Sequence, residues 1–161
     1  GRISAGIETS VPVTSVDLFP TLRSLAGQKK QAANDLDGVD LLPLLLKNQP
    51  LQRESLFWHY PHYHHGGASP HGVIRKGPYR LIEHFDGTPA ELYNIENDIG
   101  ETVNLVNSLP EKASELLNEL RMWRQSVGAQ MPTINSEYDA NRVHEAFFFH
   151  EWKDRMRKES P

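Results

Sequence analysis

Apolar residues recur at helical spacing in two parts of the chain, and the first part lies within the opening 30 residues. The pattern predicts a helix over about 16–26, with Thr14 or Ser15 as its N-cap and Gly27 as its stop signal. Three leucines fall on one face of this helix, namely Leu18, Leu22 and Leu25. After a polar stretch, the segment 36–47 predicts a turn followed by a short apolar helix.

The second helical pattern is longer and is marked at both ends. Ser108 and Glu111 have the spacing of a capping box, Pro110 suits a first helical turn, and Gly128 ends the run. The apolar positions of this run are Ala113, Leu116, Leu117, Leu120, Trp123 and Val127. They predict a long amphipathic helix whose apolar face packs against another element.

Short strand-like runs occupy the middle of the chain, and Gly77-Pro78 is a turn pair between two of them. The runs cover 56–60, 71–77, 79–85 and 90–95. Together with the long helix they predict an α+β fold, in which a small antiparallel sheet of three to four strands is packed by one long amphipathic helix.

Composition and charge narrow the classes of function. The chain has 161 residues, a net charge of −4 and no cysteine. The negative net charge does not indicate a nucleic-acid-binding surface, and no apolar run of about 18 residues predicts a membrane span. The absence of cysteine excludes a disulfide framework, a thiolate metal site and a cysteine nucleophile within this chain.

The candidate chemistry is concentrated in a predicted loop between two strands. Five of the eight histidines lie there, and they are His59, His62, His64, His65 and His71. Imidazole binds metals and also donates hydrogen bonds to anions, but this spacing matches no standard metal signature. Three interpretations stay open at this point: the wall of a substrate pocket, a solvated polar loop and a dedicated metal site.

Two charged segments near this loop are further candidates. Strand alternation places Arg75 and Lys76 on opposite faces, so at most one of them joins the histidines. A basic group beside histidines suits a sulfate, phosphate or carboxylate, whereas Arg80 is expected to be a solvated charge on the hairpin. The acidic stretch around 91–101 is interpreted as structural, because Asn97–Gly100 has the composition of a turn.

The order of the segments resembles the C-terminal part of the arylsulfatase-type sulfatases, within the alkaline phosphatase superfamily. The residues that carry the resemblance are PVTSVDLFPTLRSLAG (12–27), LDGVDLLPLL (36–45), RESLFWHYPHY (53–63), GVIRKGPYRLI (72–82) and ELYNIENDIGETVNL (91–105), followed by the closing helix at 110–132. The resemblance covers about 1–135, and five segments in one order make it specific.

The resemblance implies a two-part enzyme of which this chain is the C-terminal part. It implies that 1–49 are the end of a larger catalytic α/β domain with a linker and that 50–135 are the C-terminal subdomain. Residues 136–161 form a tail beyond the resemblance, and their pattern fits either a short docked helix near 142–156 or a partly ordered segment. The family's formylglycine, made from Cys or Ser in a C/S-x-P-x-R motif, and its Ca²⁺ ligands belong to the catalytic domain, and this chain contains no such motif. No catalytic residue, metal ligand or cofactor is therefore assigned to this chain, which is not expected to be active alone.

The resemblance also implies substrate, partner and localisation. We expect a sulfated carbohydrate or an aryl sulfate as the substrate, the N-terminal sulfatase domain as the partner, and a periplasmic or secreted location. The candidate substrate-binding residues are His59, His62, His64, His65 and Arg75. Alternative interpretations are a phosphodiester or phosphonate hydrolase of the same superfamily, and a non-catalytic carbohydrate- or metal-binding module.

Overall fold

In a computed structural model of the protein, the described residues are 2–28, 36–64 and 68–139. The chain divides into two compact units, Gly1–Leu56 and Phe57–Pro161. The predicted tail helix near 142–156 lies outside the described residues. Among the helices within the described ranges, none is long and apolar enough to cross a membrane.

The first unit contains two short helices. A 3₁₀ turn at Ser15–Asp17 leads into α1 (Leu18–Leu25), and α2 spans Leu42–Lys47. Both helices were predicted, and Pro20 lies in the first turn of α1, where a missing backbone N–H costs little. The leucine face of α1 is exposed, with Leu18 at 56%, Leu22 at 60% and Leu25 at 51% of full exposure.

The sheet has four strands in the order β1-β2-β3-β4, which are β1 (Ser55–Tyr60), β2 (His71–Lys76), β3 (Tyr79–His84) and β4 (Glu91–Asn94). β2 and β3 form the predicted hairpin across Gly77-Pro78, and β4 pairs antiparallel with β3. The helix α3 (Pro110–Ser126) follows. These elements confirm the predicted α+β fold.

One hydrophobic core lies between the sheet and α3. Its fully or almost fully buried members are Ile74, Leu81, Leu92, Ala113, Leu116 and Leu120. At its margin the ring of Phe57 stacks on Trp123, with centroids 4.8 Å apart. The predicted apolar stripe is confirmed except at its last member, because Val127 is the C-cap of α3 and is exposed.

The prediction of a capping box at the start of α3 is wrong. The N-cap is Leu109, and no side chain caps the helix. The backbone N–H groups of Ser108 and Leu109 both donate to the carbonyl oxygen of Leu105, which forms a turn just before the helix. Pro110 disfavours helical geometry at the residue before it, so the helix begins one residue later than Ser108 requires.

The acidic stretch forms the predicted turn. The Asp98 carboxylate accepts hydrogen bonds from the backbone N–H groups of Val103 (2.9 Å) and Thr102 (2.8 Å), which lower its pKa. Glu101 forms an ion pair with Arg80, and both side chains are partly buried. The expectation that Arg80 is a solvated charge is therefore wrong, because the turn brings a carboxylate back to β3.

Candidate functional site

Tyr60, the last residue of β1, is surrounded by histidines from the loop that follows it. The ring of His62 meets Tyr60 edge to face, with centroids 5.8 Å apart, and the His64 ring lies 6.3 Å away. The backbone N–H of His64 donates to the carbonyl oxygen of Ala68 (2.9 Å), which closes the base of the loop. Both histidines and the intervening Tyr63 are exposed, so two imidazoles and a phenol ring face solvent together.

The neighbouring strands bring two more histidines to the same place. His71 begins β2, and its ring lies 5.8 Å from that of Tyr60. In the hairpin register His71 pairs with His84, the last residue of β3, and their rings are 6.4 Å apart. Tyr60 therefore has three imidazoles around it, and a fourth lies behind His71.

A chain of hydrogen bonds holds His84 in place. Nε2 of His84 donates to Oε1 of Glu91 (3.0 Å), and Nδ1 lies 3.2 Å from Oγ of Ser69. The hydroxyl of Tyr93 donates to the other oxygen of Glu91 (2.5 Å). The hydrogen bonds from Tyr93 and His84 lower the pKa of Glu91, whereas the Glu91 carboxylate raises the pKa of Tyr93 to about 12. Glu91 is thus a charged acceptor that orients His84 at neutral pH.

The returning part of the loop is attached to the sheet at three points. Besides the contact of Ser69 with His84, Nδ1 of His71 donates to the Ser69 carbonyl oxygen (2.7 Å). The backbone N–H of Phe85 donates to the carbonyl oxygen of Pro70 (2.8 Å). These contacts fix the position of the loop where it rejoins β2. A fixed loop favours a defined binding surface over a merely solvated loop.

His59 lies on the other face of the sheet. It shares the α3-facing side of β1 with Phe57, because side chains alternate along a strand. Its Nε2 donates to the carbonyl oxygen of Gln130 (2.7 Å), and its ring lies 5.4 Å from that of Phe85. The structure therefore does not bring His59 to Tyr60, and its predicted substrate contact stays a prediction.

The remaining candidates are Arg75 and His65. Nζ of Lys76 contacts Glu119 of α3 (2.8 Å), so alternation places Arg75 on the Tyr60 face of the sheet. Arg75 lies four positions along the strand from His71, a distance of about 13 Å. Nε of Arg75 is buried without a hydrogen-bond partner within the described ranges. His65 lies outside the described residues, and both assignments stay predictions.

The arrangement suits a polar organic ligand better than a metal ion. Within residues 2–28, 36–64 and 68–139, no group of three or more His, Cys, Asp or Glu side chains is placed to hold a metal. Exposed imidazoles can both donate and accept hydrogen bonds, and an exposed tyrosine offers a flat face with a polar tip. Such a surface can recognise hydroxyl and sulfate groups on a sugar.

Sequence reasoning did not assign several residues of this surface. These are Tyr60, His84, Glu91 and Tyr93, whereas His71 was grouped with the loop histidines but not included among the substrate-binding residues. Part of the signal was available, because a two-residue turn at Gly77-Pro78 fixes the register that places His71 opposite His84. The contact of Glu91 with His84 is diagonal across two strands and depends on where β4 begins.

Solved structures with the same fold include sulfatases. BT4656 in complex with D-glucosamine-2-N,6-O-disulfate superposes with a TM-score of 0.69 at 25% identity, over 81% of this chain and 28% of that one. Ps i-CgsB in complex with k-i-k-neocarrahexaose gives 0.64 at 25% identity, over 98% of this chain and 33% of that one. The chain therefore has the fold of a C-terminal sulfatase domain of the alkaline phosphatase superfamily.

Sequence comparison identifies the family. The family described as N-sulphoglucosamine sulphohydrolase, C-terminal, matches residues 1–127, and the chain belongs to it. Human arylsulfatase A is 33% identical over 163 residues, which cover 87% of this chain and 29% of the enzyme. A sulfatase of Formosa agariphila is 30% identical over 131 residues, covering 73% of this chain and 24% of that protein. The chain thus spans about a quarter to a third of the length of these relatives.

Proposed function

We propose that this chain is the C-terminal part of a sulfatase that hydrolyses the sulfate ester of a carbohydrate or an aryl alcohol. Its role is to form one wall of the substrate pocket, where His62 and His64 contact the organic part of the substrate. The observation that carries the proposal is the packing of these two exposed histidines around Tyr60, on a loop of a sulfatase-family chain.

The reactive groups of such an enzyme lie outside this chain. The sequence contains no cysteine and no serine in a Ser-x-Pro-x-Arg context, and its described residues do not fit a metal site. We infer that the formylglycine and Ca²⁺ implied by the resemblance belong to an N-terminal catalytic domain, which is the partner of this chain. Periplasmic or secreted localisation is part of the same proposal, and fractionation of the source cells would test it.

The first test replaces the two loop histidines in the full-length protein. His62→Ala/His64→Ala is expected to lower kcat/KM on the preferred sulfated substrate at least about fivefold, since two hydrogen bonds of about 0.5–1.5 kcal/mol each are lost. Gln125→Ala, on the exposed side of α3, is the matched control and should leave kcat/KM within about twofold. An unchanged kcat/KM in the double variant would contradict the proposed role of the loop.

The chain alone is expected to show no sulfatase activity, because it lacks the nucleophile motif. The purified chain and the full-length protein are assayed side by side on 4-nitrophenyl sulfate and on sulfated glucosamines. Turnover by the chain alone, at a rate above that of a buffer control, would show that the catalytic groups lie within it.

The same assays separate the alternative functions. A phosphonate monoester hydrolase from Silicibacter pomeroyi shares the fold with a TM-score of 0.58 at 20% identity, which supports no more than a common fold. Turnover of a phosphonate or phosphodiester but not of a sulfate ester by the full-length protein would favour that alternative. Tight Zn²⁺ or Ni²⁺ binding by the chain, measured by calorimetry, would instead favour a metal-binding module.

A further inference from the structure

We propose that His71 is a further substrate-binding residue, and that its Nε2 accepts a hydrogen bond from a hydroxyl group of the sugar. This inference rests on the proposed sulfatase function and adds a specific contact to it. His71 lies at the start of β2 rather than in the exposed part of the loop, and it is absent from the set of binding residues predicted from the sequence.

The hydrogen bonding of the His71 ring fixes which nitrogen carries the proton. Nδ1 lies 2.7 Å from the carbonyl oxygen of Ser69, and a carbonyl oxygen can only accept, so Nδ1 is the donor. A neutral imidazole has one donor and one acceptor nitrogen. In the neutral ring Nε2 therefore carries a lone pair, and it makes no hydrogen bond to any described residue. An acceptor in this state is suited to a hydroxyl donor.

The ring is held in one orientation by its neighbours. Tyr60 packs on it from β1, and His84 lies beside it on β3. His84 is itself fixed between Ser69 and Glu91, so the support extends across three strands. An acceptor that is already oriented loses little conformational entropy when a ligand binds.

The position of His71 connects it to the proposed site. Its ring and those of His62 and His64 all pack around the same residue, Tyr60, at centroid distances between 5.8 and 6.3 Å. A sugar that covers the Tyr60 ring can therefore contact the two loop histidines and His71. Because the neutral His71 ring offers an acceptor at Nε2, it selects a hydroxyl rather than the sulfate group, which can only accept.

Two substitutions at this position separate binding from support of the loop. In His71→Asn the side-chain amide nitrogen lies as many bonds from the backbone as Nδ1, so it can still donate to the Ser69 carbonyl, whereas the Nε2 acceptor is lost. In His71→Gln the amide oxygen can take the place of Nε2, whereas the bond to Ser69 is lost. The Gln variant is therefore expected to keep more activity on sugar substrates than the Asn variant.

The experiment measures kcat/KM of the full-length protein on two kinds of substrate. The sugar substrates are glucosamine 6-sulfate and D-glucosamine-2-N,6-O-disulfate, both of which carry a sulfate ester, and the reference is 4-nitrophenyl sulfate, which has no hydroxyl group. His71→Asn is expected to lower kcat/KM about fivefold to tenfold on the better sugar substrate, the effect of one hydrogen bond. On 4-nitrophenyl sulfate it is expected to stay within about twofold of the wild-type value.

Each other outcome contradicts the inference in an identifiable way. Equal losses on both kinds of substrate, greater activity of His71→Asn than of His71→Gln on the sugar, or a lowered melting temperature of His71→Asn would show that position 71 only supports the loop. An unchanged His71→Asn variant of an active sulfatase would overturn the inference and leave the proposed function intact. A wild-type protein that hydrolyses none of the sulfate esters would overturn both.

Discussion

The role that Asp17 has in the structure differs from the role that the sequence predicts for it. The sequence places it in the first turn of a helix, where a carboxylate interacts favourably with the helix dipole. In the structure it is completely buried. Its oxygens accept hydrogen bonds from the backbone N–H groups of Thr14 and Val39 (both 2.9 Å) and from the Arg53 guanidinium (2.7 and 2.9 Å). One carboxylate thus joins three segments of the first unit.

Replacing this carboxylate should destabilise the first unit. Asp17→Asn leaves the largely buried Arg53 without its charged partner, so we expect a loss of about 3 kcal/mol. The measurement is hydrogen exchange at the amides of Thr14 and Val39, because all three tryptophans lie in the second unit and their fluorescence would miss the change. Glu115→Gln breaks an exposed pair with Lys112 and should change stability by less than about 0.5 kcal/mol.

The same carboxylate gives the first unit a pH dependence. Burial raises the pKa of Asp17, but the hydrogen bonds from Arg53, Val39 and Thr14 outweigh it, so the pKa lies below the ordinary 3.8. A lowered pKa stabilises the folded state above the unfolded value, and this stabilisation is lost as the pH falls below about 4. Amide protection at Val39 should therefore decrease there in the wild-type protein and change much less in Asp17→Asn. Equal acid sensitivity of the two proteins would contradict the assignment.

At the scale of elements, the helix α3 and the sheet depend on each other. Leu116 and Leu120 are buried against Ile74 and Leu81, whereas Met122 on the same helix is 63% exposed. Burial, rather than hydrophobicity alone, decides which apolar positions of α3 contribute to stability.

Truncation of α3 residues should therefore have unequal effects. Leu120→Ala leaves a cavity in the core and is expected to cost about 2–5 kcal/mol, whereas Met122→Ala should cost less than about 0.5 kcal/mol. Urea unfolding followed by the fluorescence of Trp123, which packs against this core, measures both variants. Similar unfolding midpoints for the two would mean that α3 does not pack on the sheet as described.

The sequence predicted the elements better than their ends. The hairpin of β2 and β3 was predictable because Gly77-Pro78 separates two strand-like runs, and its register follows from the length of the turn. The start of α3 was not predictable in the same way. Ser108 has the right spacing for an N-cap, but the turn at Leu105 and the backbone restriction by Pro110 move the N-cap to Leu109. Local spacing does not reveal which turn precedes a helix.

At the scale of the whole molecule, α1 presents an unusual surface. Phe19 of α1 is 57% exposed, and the exposed leucines of the same helix confirm the predicted apolar face. In the apolar 41–46 segment, by contrast, Leu41 and Leu44 are buried. Because the relatives are about three times as long as the chain, we propose that the N-terminal sulfatase domain covers this face.

The exposed face should bind hydrophobic dyes in the isolated chain. Leu18→Ser/Leu22→Ser/Leu25→Ser is expected to reduce the fluorescence enhancement of 8-anilinonaphthalene-1-sulfonate at least about twofold, because it removes most of the apolar patch. Met122→Ser, a single exposed apolar residue on α3, is the control and should have little effect. Dye binding by the wild-type chain no stronger than by a well-packed protein would contradict the prediction.

The amino-acid sequence alone determined the fold class, the order of the elements and the sulfatase resemblance, because periodicity, turn residues and segment order are local properties of the chain. Only the tertiary structure decided which histidines meet. His59 and Tyr60 are neighbours in sequence but lie on opposite faces of β1, whereas His71 and His84 come together across a hairpin. The physical reason is that strand alternation and register, rather than proximity along the chain, decide which side chains share a surface.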